Sequence, residues 1–182
     1  QILHVGTITR TVRDSALALN LTNGQHPMDI MSLPGKIELP QKLADPKGMR
    51  VAYSPNLGYF EIDSEVAQNT AAAVKRLEAM GCRVEQIDLD WNDEAYDAWV
   101  THWEGLFAAI AEQHMTRWQY KMDPFVRALI QRGQNHSAVR VKQTELARTR
   151  MWKVLAKVFT EYDAMVCPTL AVPAITAEHA ND

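Results

Sequence analysis

Cysteine is scarce, and what is missing narrows the reading first. Cys82 and Cys167 are the only two cysteines in 182 residues, too few for a disulfide framework, so both are expected to be buried thiols in a reducing cytosol. No apolar run approaches the roughly 18 residues that span a bilayer, and no basic stretch followed by an apolar one marks a secretory signal. Strong charge of either sign is also absent. The net charge of −3 gives no basic patch for nucleic acid. The six histidines are scattered without metal-ligand spacing, and no cofactor is expected.

Several catalytic motifs are missing as well. There is no G-x-S-x-G elbow, and no P-loop, G-x-G-x-x-G or H-E-x-x-H. Asp88–Glu94 (DLDWNDE) imitates half a calcium loop. It has Asp93 where that loop needs glycine and Trp99 where it needs a bidentate glutamate, so an acidic entry to a helix is the better reading.

What is present is a globular composition, 47% apolar and 23% charged, in a chain long enough for one domain or a large part of one. It opens at Gln1 almost directly on a strand pattern, which reads as a mature form or a piece of something longer. Val5–Thr9 alternates like a short strand. Thr11 and Asp14 form a T-x-x-D capping pattern, opening a helix whose Val12, Ala16, Leu17, Leu19 and Leu21 predict burial on more than one side. Gly24 is its expected left-handed terminator. Pro27, Pro34, Pro40 and Pro46 make residues 25–48 a long loop.

Met49–Ser54, a helix capped by Asp63 or Ser64, and Cys82–Leu89 read as a right-handed parallel β-α-β crossover. The helix stripe is Val66, Thr70, Ala73, Val74 and Leu77. A helix then spans Asp93 to about Trp118, a second starts at Asp123-Pro124 and stops near Gly133, and a third is capped by Ser137 and runs to about Tyr162. Asp163–Ala174 reads as a buried strand ended by Pro168. Tyr96, Trp99, Val100, Trp103, Leu106, Phe107 and Ile110 share one side of the first of these helices. They form either core packing or the wall of an apolar substrate pocket. Arg10 and Arg13 oppose the helix dipole, which suggests a specific partner for at least one of them.

Four blocks then carry a resemblance: GTITRTVRDSALAL, the G-x-x-P-x-D-x-x-S-L-P run from Gly24 to Pro34, Arg50-Val51-Ala52-Tyr53-Ser54-Pro55 followed by Asn56-Leu57-Gly58, and YDAMVCPTLAVPA from Tyr162 to Ala174. In this order they resemble amidase signature enzymes. Val5-Gly6 stands where Gly-Pro is common in relatives, and Ile8 where Met is common.

The resemblance implies hydrolysis of C–N amide bonds by a serine nucleophile, a second serine joined through a cis peptide, and a lysine base. That Gly/Ser-rich signature does not occur here, and Gly-Gly-Ser is found nowhere. No catalytic residue is therefore assigned, and the chain alone is expected to be inactive. Arg10 and Asp14 match the T-R-T-V-x-D block, whose implied role is to support the catalytic loop from behind. Pro168 and Thr169 match the P-T segment near the substrate, and with Trp99, Trp103 and Phe107 they complete the expected pocket.

The implied fold is α/β: part of the mixed-sheet amidase signature fold, with a β-α-β unit and a helical insertion. The chain would form the C-terminal portion of a single domain. Residues 1–48 would hold the first strand, helix and loop, 49–92 the β-α-β unit, 93–162 the helical region, and 163–182 the final strand and tail. Expected partners are a small amide substrate and the N-terminal portion of the same enzyme, with no nucleic acid and no membrane; a homo-oligomer is left open. A free-standing binding or scaffold domain and a piece like the A-type component of a transamidating amidotransferase are the alternatives.

Overall fold

The computed structural model describes residues 6–40 and 42–176, which fall into two compact units divided between residues 45 and 46.

The first unit is built on one helix, α1 (Val12–Thr22). Thr11 caps it: its Oγ1 accepts the Asp14 N–H at 3.1 Å. Gly24 follows the helix at φ +115°, as its position predicts. Asn20 and Asn23, one turn apart, hold the following loop. Asn20 exchanges hydrogen bonds with both backbone groups of Leu39, at 2.8 and 2.7 Å, and Asn23 does the same with Ile37, at 3.0 and 2.7 Å. The two side-chain amides thus imitate a neighbouring strand for the extended segment.

Two expectations fail in this unit. Gly6–Thr9 have no strand structure, and Val5 lies outside the described residues. A strand needs a ladder partner, and none of the described strands pairs with this segment. Helix α1 is also not buried on several sides. Only Ala16 is buried, while Val12, Leu17, Leu19 and Leu21 are exposed, because a unit of this size has too little chain to enclose a helix.

The second unit is α/β. A three-stranded sheet has the order β2-β1-β3, with β1 Arg50–Tyr53, β2 Arg83–Gln86 and β3 Ala164–Val166. Both pairings are parallel. Between β1 and β2 runs α2 (Ser64–Ala79), capped by Asp63, whose carboxylate accepts the Glu65 N–H. Of the expected stripe on α2, Val74 is buried and Val66, Thr70 and Leu77 are half-buried, but Ala73 is exposed and Ala67 and Ala71 take part instead. One sheet face covers a narrower arc than a stripe of five residues.

The Tyr-Asp pair before β3 sets its register. Asp163 accepts the Arg50 N–H at 2.8 Å and donates its own N–H to the Arg50 carbonyl at 2.9 Å. Tyr162 lies beneath the Arg50 guanidinium, 5.1 Å from ring to charge, and its hydroxyl donates to Glu85 on β2 at 2.7 Å. β3 is shorter than Asp163–Ala174 and only half-buried, since it is a sheet edge. β2 likewise stops at Gln86.

Three helices complete the unit: α3 (Glu94–Trp118), α4 (Pro124–Gln134) and α5 (Ala138–Glu161). Asp123 and Ser137 cap the last two, as expected. Their shared interior is made of small side chains. Ala98, Thr101 and Ala108 of α3 face Leu129 and Ile130 of α4 and Thr144 and Ala147 of α5, all buried. Small residues let the helix axes approach, and the approach at Gly133 leaves no room for a Cβ.

Polar cross-links accompany this packing. Buried Glu104 receives Arg132 Nε on one oxygen and has His136 Nε2 at 2.7 Å from the other. Arg140 bonds Asp97 and Thr101, and Arg150 pairs with Glu94. Among the described residues no helix is long and apolar enough to cross a membrane.

Candidate functional site

All three strands are parallel, so their carboxyl ends lie on one side of the sheet, where α/β proteins bind ligands. The segments leaving those ends meet around a cavity of about 420 Å³, within the range for small-molecule sites. β1 continues into Asn56–Ile62, β2 into the loop holding Trp91, and β3 into Pro168–Ala171. The first turns of α3 and Met151 of α5 close the remaining sides.

Local chemistry holds these loops in place. Gly58 adopts φ +91°, and a Cβ there would stand 2.9 Å from the Trp91 backbone nitrogen and 3.2 Å from an Asp88 oxygen. The two loops can therefore touch only through a glycine. Asn56 Oδ1 accepts the Gly58 N–H, and Asp88 Oδ1 accepts the Asp90 N–H. Asp63 donates its N–H to the Ala171 carbonyl at 2.8 Å, which ties the first wall to the third. Asn92 Oδ1 accepts the Glu94 N–H, so the acidic segment runs into the start of α3 rather than around an ion. Among the described residues no His, Cys, Asp and Glu group is arranged to hold a metal.

The lining is largely apolar and aromatic. Tyr59 and Phe60 lie 4.2 Å apart, and Tyr96 and Trp99 5.9 Å apart. Burial, with a contribution from the Asp93 charge, pushes the Tyr59 hydroxyl up. Burial also pushes up the Cys167 thiol next to the cavity wall. Cys167 is half-buried rather than buried as expected, because it follows an edge strand; Cys82 is buried.

Of the expected pocket residues, Trp99, Pro168 and Thr169 line this cavity. Trp103 and Phe107 do not line it. They continue from Trp99 along α3, Trp103 stacked on Trp99 at 6.1 Å and Phe107 edge-on to Trp103 at 5.2 Å. This aromatic side is not the core side of α3. Ala108 follows Trp99 by nine residues, about two and a half turns, and so faces the opposite way. Tyr96, Trp99 and Ile110 remain about half exposed.

Arg10 and Asp14 belong to the other unit, and both are exposed. Among the described residues no hydrogen bond or ion pair forms at the Arg10 side chain. Asp14 lines a shallow depression between α1 and residues 36–40.

Sequence reasoning missed Tyr59, Phe60, Trp91 and Met151. The available signal was positional: PNLGYF and DWND each follow a strand of a parallel pair. Ser54 Oγ and Trp91 Nε1 are buried at this end of the sheet without a hydrogen-bond partner among the described residues.

The amidase family model matches residues 1–182. The chain belongs to the amidase family. It is 30% identical over 173 residues to an acylamidase of Rhodococcus erythropolis, covering 91% of this chain and 35% of that protein. An amidase of Pseudomonas putida is 27% identical over 179 residues, 94% of this chain and 37% of that one. The first of the two glutamyl-tRNA(Gln) amidotransferase components, from Halothermothrix orenii, is 37% identical over 87 residues, 47% of this chain and 18% of its own length. A solved bacterial aryl acylamidase of the amidase signature enzymes superposes with a TM-score of 0.82 at 26% identity, over 92% of this chain and 36% of its own length. The chain thus spans about a third of the length of the acylamidases it matches, and its α/β architecture is that of amidase signature enzymes.

Proposed function

We propose that this chain supplies the substrate-pocket portion of an amidase that hydrolyses the C–N bond of small or aryl amides. The observation that carries the reading is the aromatic cavity at the carboxyl ends of the three parallel strands, built from segments that follow each of them. Likeness to acylamidases supports the same substrate class. In this reading Trp99, Pro168 and Thr169 wall the pocket. Trp103 and Phe107 extend its aromatic side, and Arg10 and Asp14 support a catalytic loop supplied by other residues of the enzyme.

The serine nucleophile, its partner serine and the lysine base are not encoded here, so the 182-residue chain binds but does not turn over. Purified chain should quench tryptophan fluorescence on titration with acetanilide, while releasing neither aniline nor acetate. Turnover that survives stringent purification would refute the division of labour. Failure to bind any aryl amide would refute the pocket.

A role like that of the amidotransferase component rests on the 87-residue match. It predicts that binding is restored or sharpened only by a partner protein.

A further inference from the structure

Five aromatic side chains converge on the cavity: Tyr59, Phe60, Trp91, Tyr96 and Trp99. Among the described residues, no lysine, arginine or histidine lines it. An aryl ring needs a flat apolar slot, and two or three such walls would serve. Five rings offering faces and edges from three different segments present a large negative π surface, which attracts an organic cation.

The charges around the cavity have the same sign. Asp88 places a carboxylate oxygen 3.2 Å from the Cβ position of Gly58, in the loop that carries Tyr59 and Phe60. Asp93 is close enough to Tyr59 to act on its hydroxyl. The positive end of the α3 dipole opposes this arrangement, but Glu94 and Asp97 occupy its first turn. The neighbouring cation, Arg150, is engaged by Glu94.

We propose that the cavity is charge-selective: an aromatic cage for the cationic end of an organic substrate, an aryl amide carrying a quaternary or protonated amine, that disfavours carboxylates. This rests on the cavity being the substrate site, but it concerns binding and needs no turnover.

Three para-substituted acetanilides of similar size test it on the 182-residue chain, by tryptophan fluorescence and calorimetric titration: trimethylammonio, tert-butyl and carboxylate. The trimethylammonio compound should bind about tenfold tighter than its neutral isostere, about 1.4 kcal/mol, and the carboxylate weakest of all. Asp93→Asn should shrink the cation-to-neutral ratio severalfold while leaving the neutral Kd within about twofold. The ratio is read on one protein sample, so partial folding of a variant does not mimic it.

Equal or tighter binding of the tert-butyl compound, or tightest binding of the carboxylate, overturns charge selectivity and leaves the apolar pocket standing. Binding of none of the three overturns both readings.

Discussion

Gly133 of α4 sits directly on the backbone carbonyl of Glu104 in α3: a Cβ at residue 133 would overlap that oxygen and fall 2.9 Å from the Ala108 methyl. The same residue that accepts this contact through its backbone uses its buried carboxylate to hold Arg132 and His136. The crossing of α3 and α4 is thus set sterically and electrostatically at one position.

Gly133→Ala should therefore destabilise the protein by about 3 kcal/mol, the upper end for overpacking in a close-packed interior. In an exposed helix interior the same change would be favourable by about 1 kcal/mol. Urea unfolding monitored by circular dichroism measures the sign, and a stabilised variant would contradict the close crossing.

Glu104→Ala removes the shared acceptor of the cluster and should cost about 1–3 kcal/mol. Arg132 is half exposed and can return to water, whereas His136 is mostly enclosed. Arg132→Ala should thus cost more in the wild-type background than in Glu104→Ala, and a double-mutant cycle reads that coupling directly.

Gly58→Ala combines a positive φ with a close approach to Trp91. Its main effect should be local, because the strain can be relieved by moving the loop that carries Tyr59 and Phe60. Aryl amide binding should weaken tenfold or more while the unfolding midpoint shifts only slightly. Unchanged binding in the fluorescence titration would show that the loop does not shape the cavity.

His102 provides the pH dependence. Burial first, then the Arg148 charge, holds its pKa below the usual histidine range, and its Nδ1 is buried without a partner among the described residues. The folded state favours neutral imidazole, and the unfolded state takes the proton first as pH falls below about 6.5. Stability therefore declines from there down to the folded-state pKa, while above pH 7 the group contributes no slope. His102→Gln should flatten the stability profile between about pH 5 and 6.5, read from urea midpoints across that range. Glu94 and Glu145, held low chiefly by their bonds to Arg150 and Lys142, act only at more acidic pH.

Local signals in the chain translated into local structure wherever one residue could decide the outcome. Thr11, Asp63, Asp123 and Ser137 cap the helices they precede, because a cap needs only a side-chain oxygen and the next turn's amides. The parallel pairing of β1 and β2 follows similarly from a helix placed between two short strands.

Burial was less legible, because it depends on what arrives from elsewhere. On α3 the large aromatics looked like the core side. The helix instead turns Ala98, Thr101 and Ala108 inward, since α4 and α5 can approach closely only over small side chains. The aromatic side is left to line the cavity through Tyr96 and Trp99 and to continue outward through Trp103 and Phe107.

The sequence by itself determined the family, the helix starts, the β-α-β order and the apolar chemistry of the pocket, because each is written in residue type and short spacing. Only the tertiary structure decided which face of α3 meets solvent, that Glu104 and Gly133 share a crossing, and that PNLGYF, Trp91 and Pro168-Thr169 surround one cavity. Those are relations between segments far apart in the chain, and the close packing that creates them depends on shape, which no local pattern encodes.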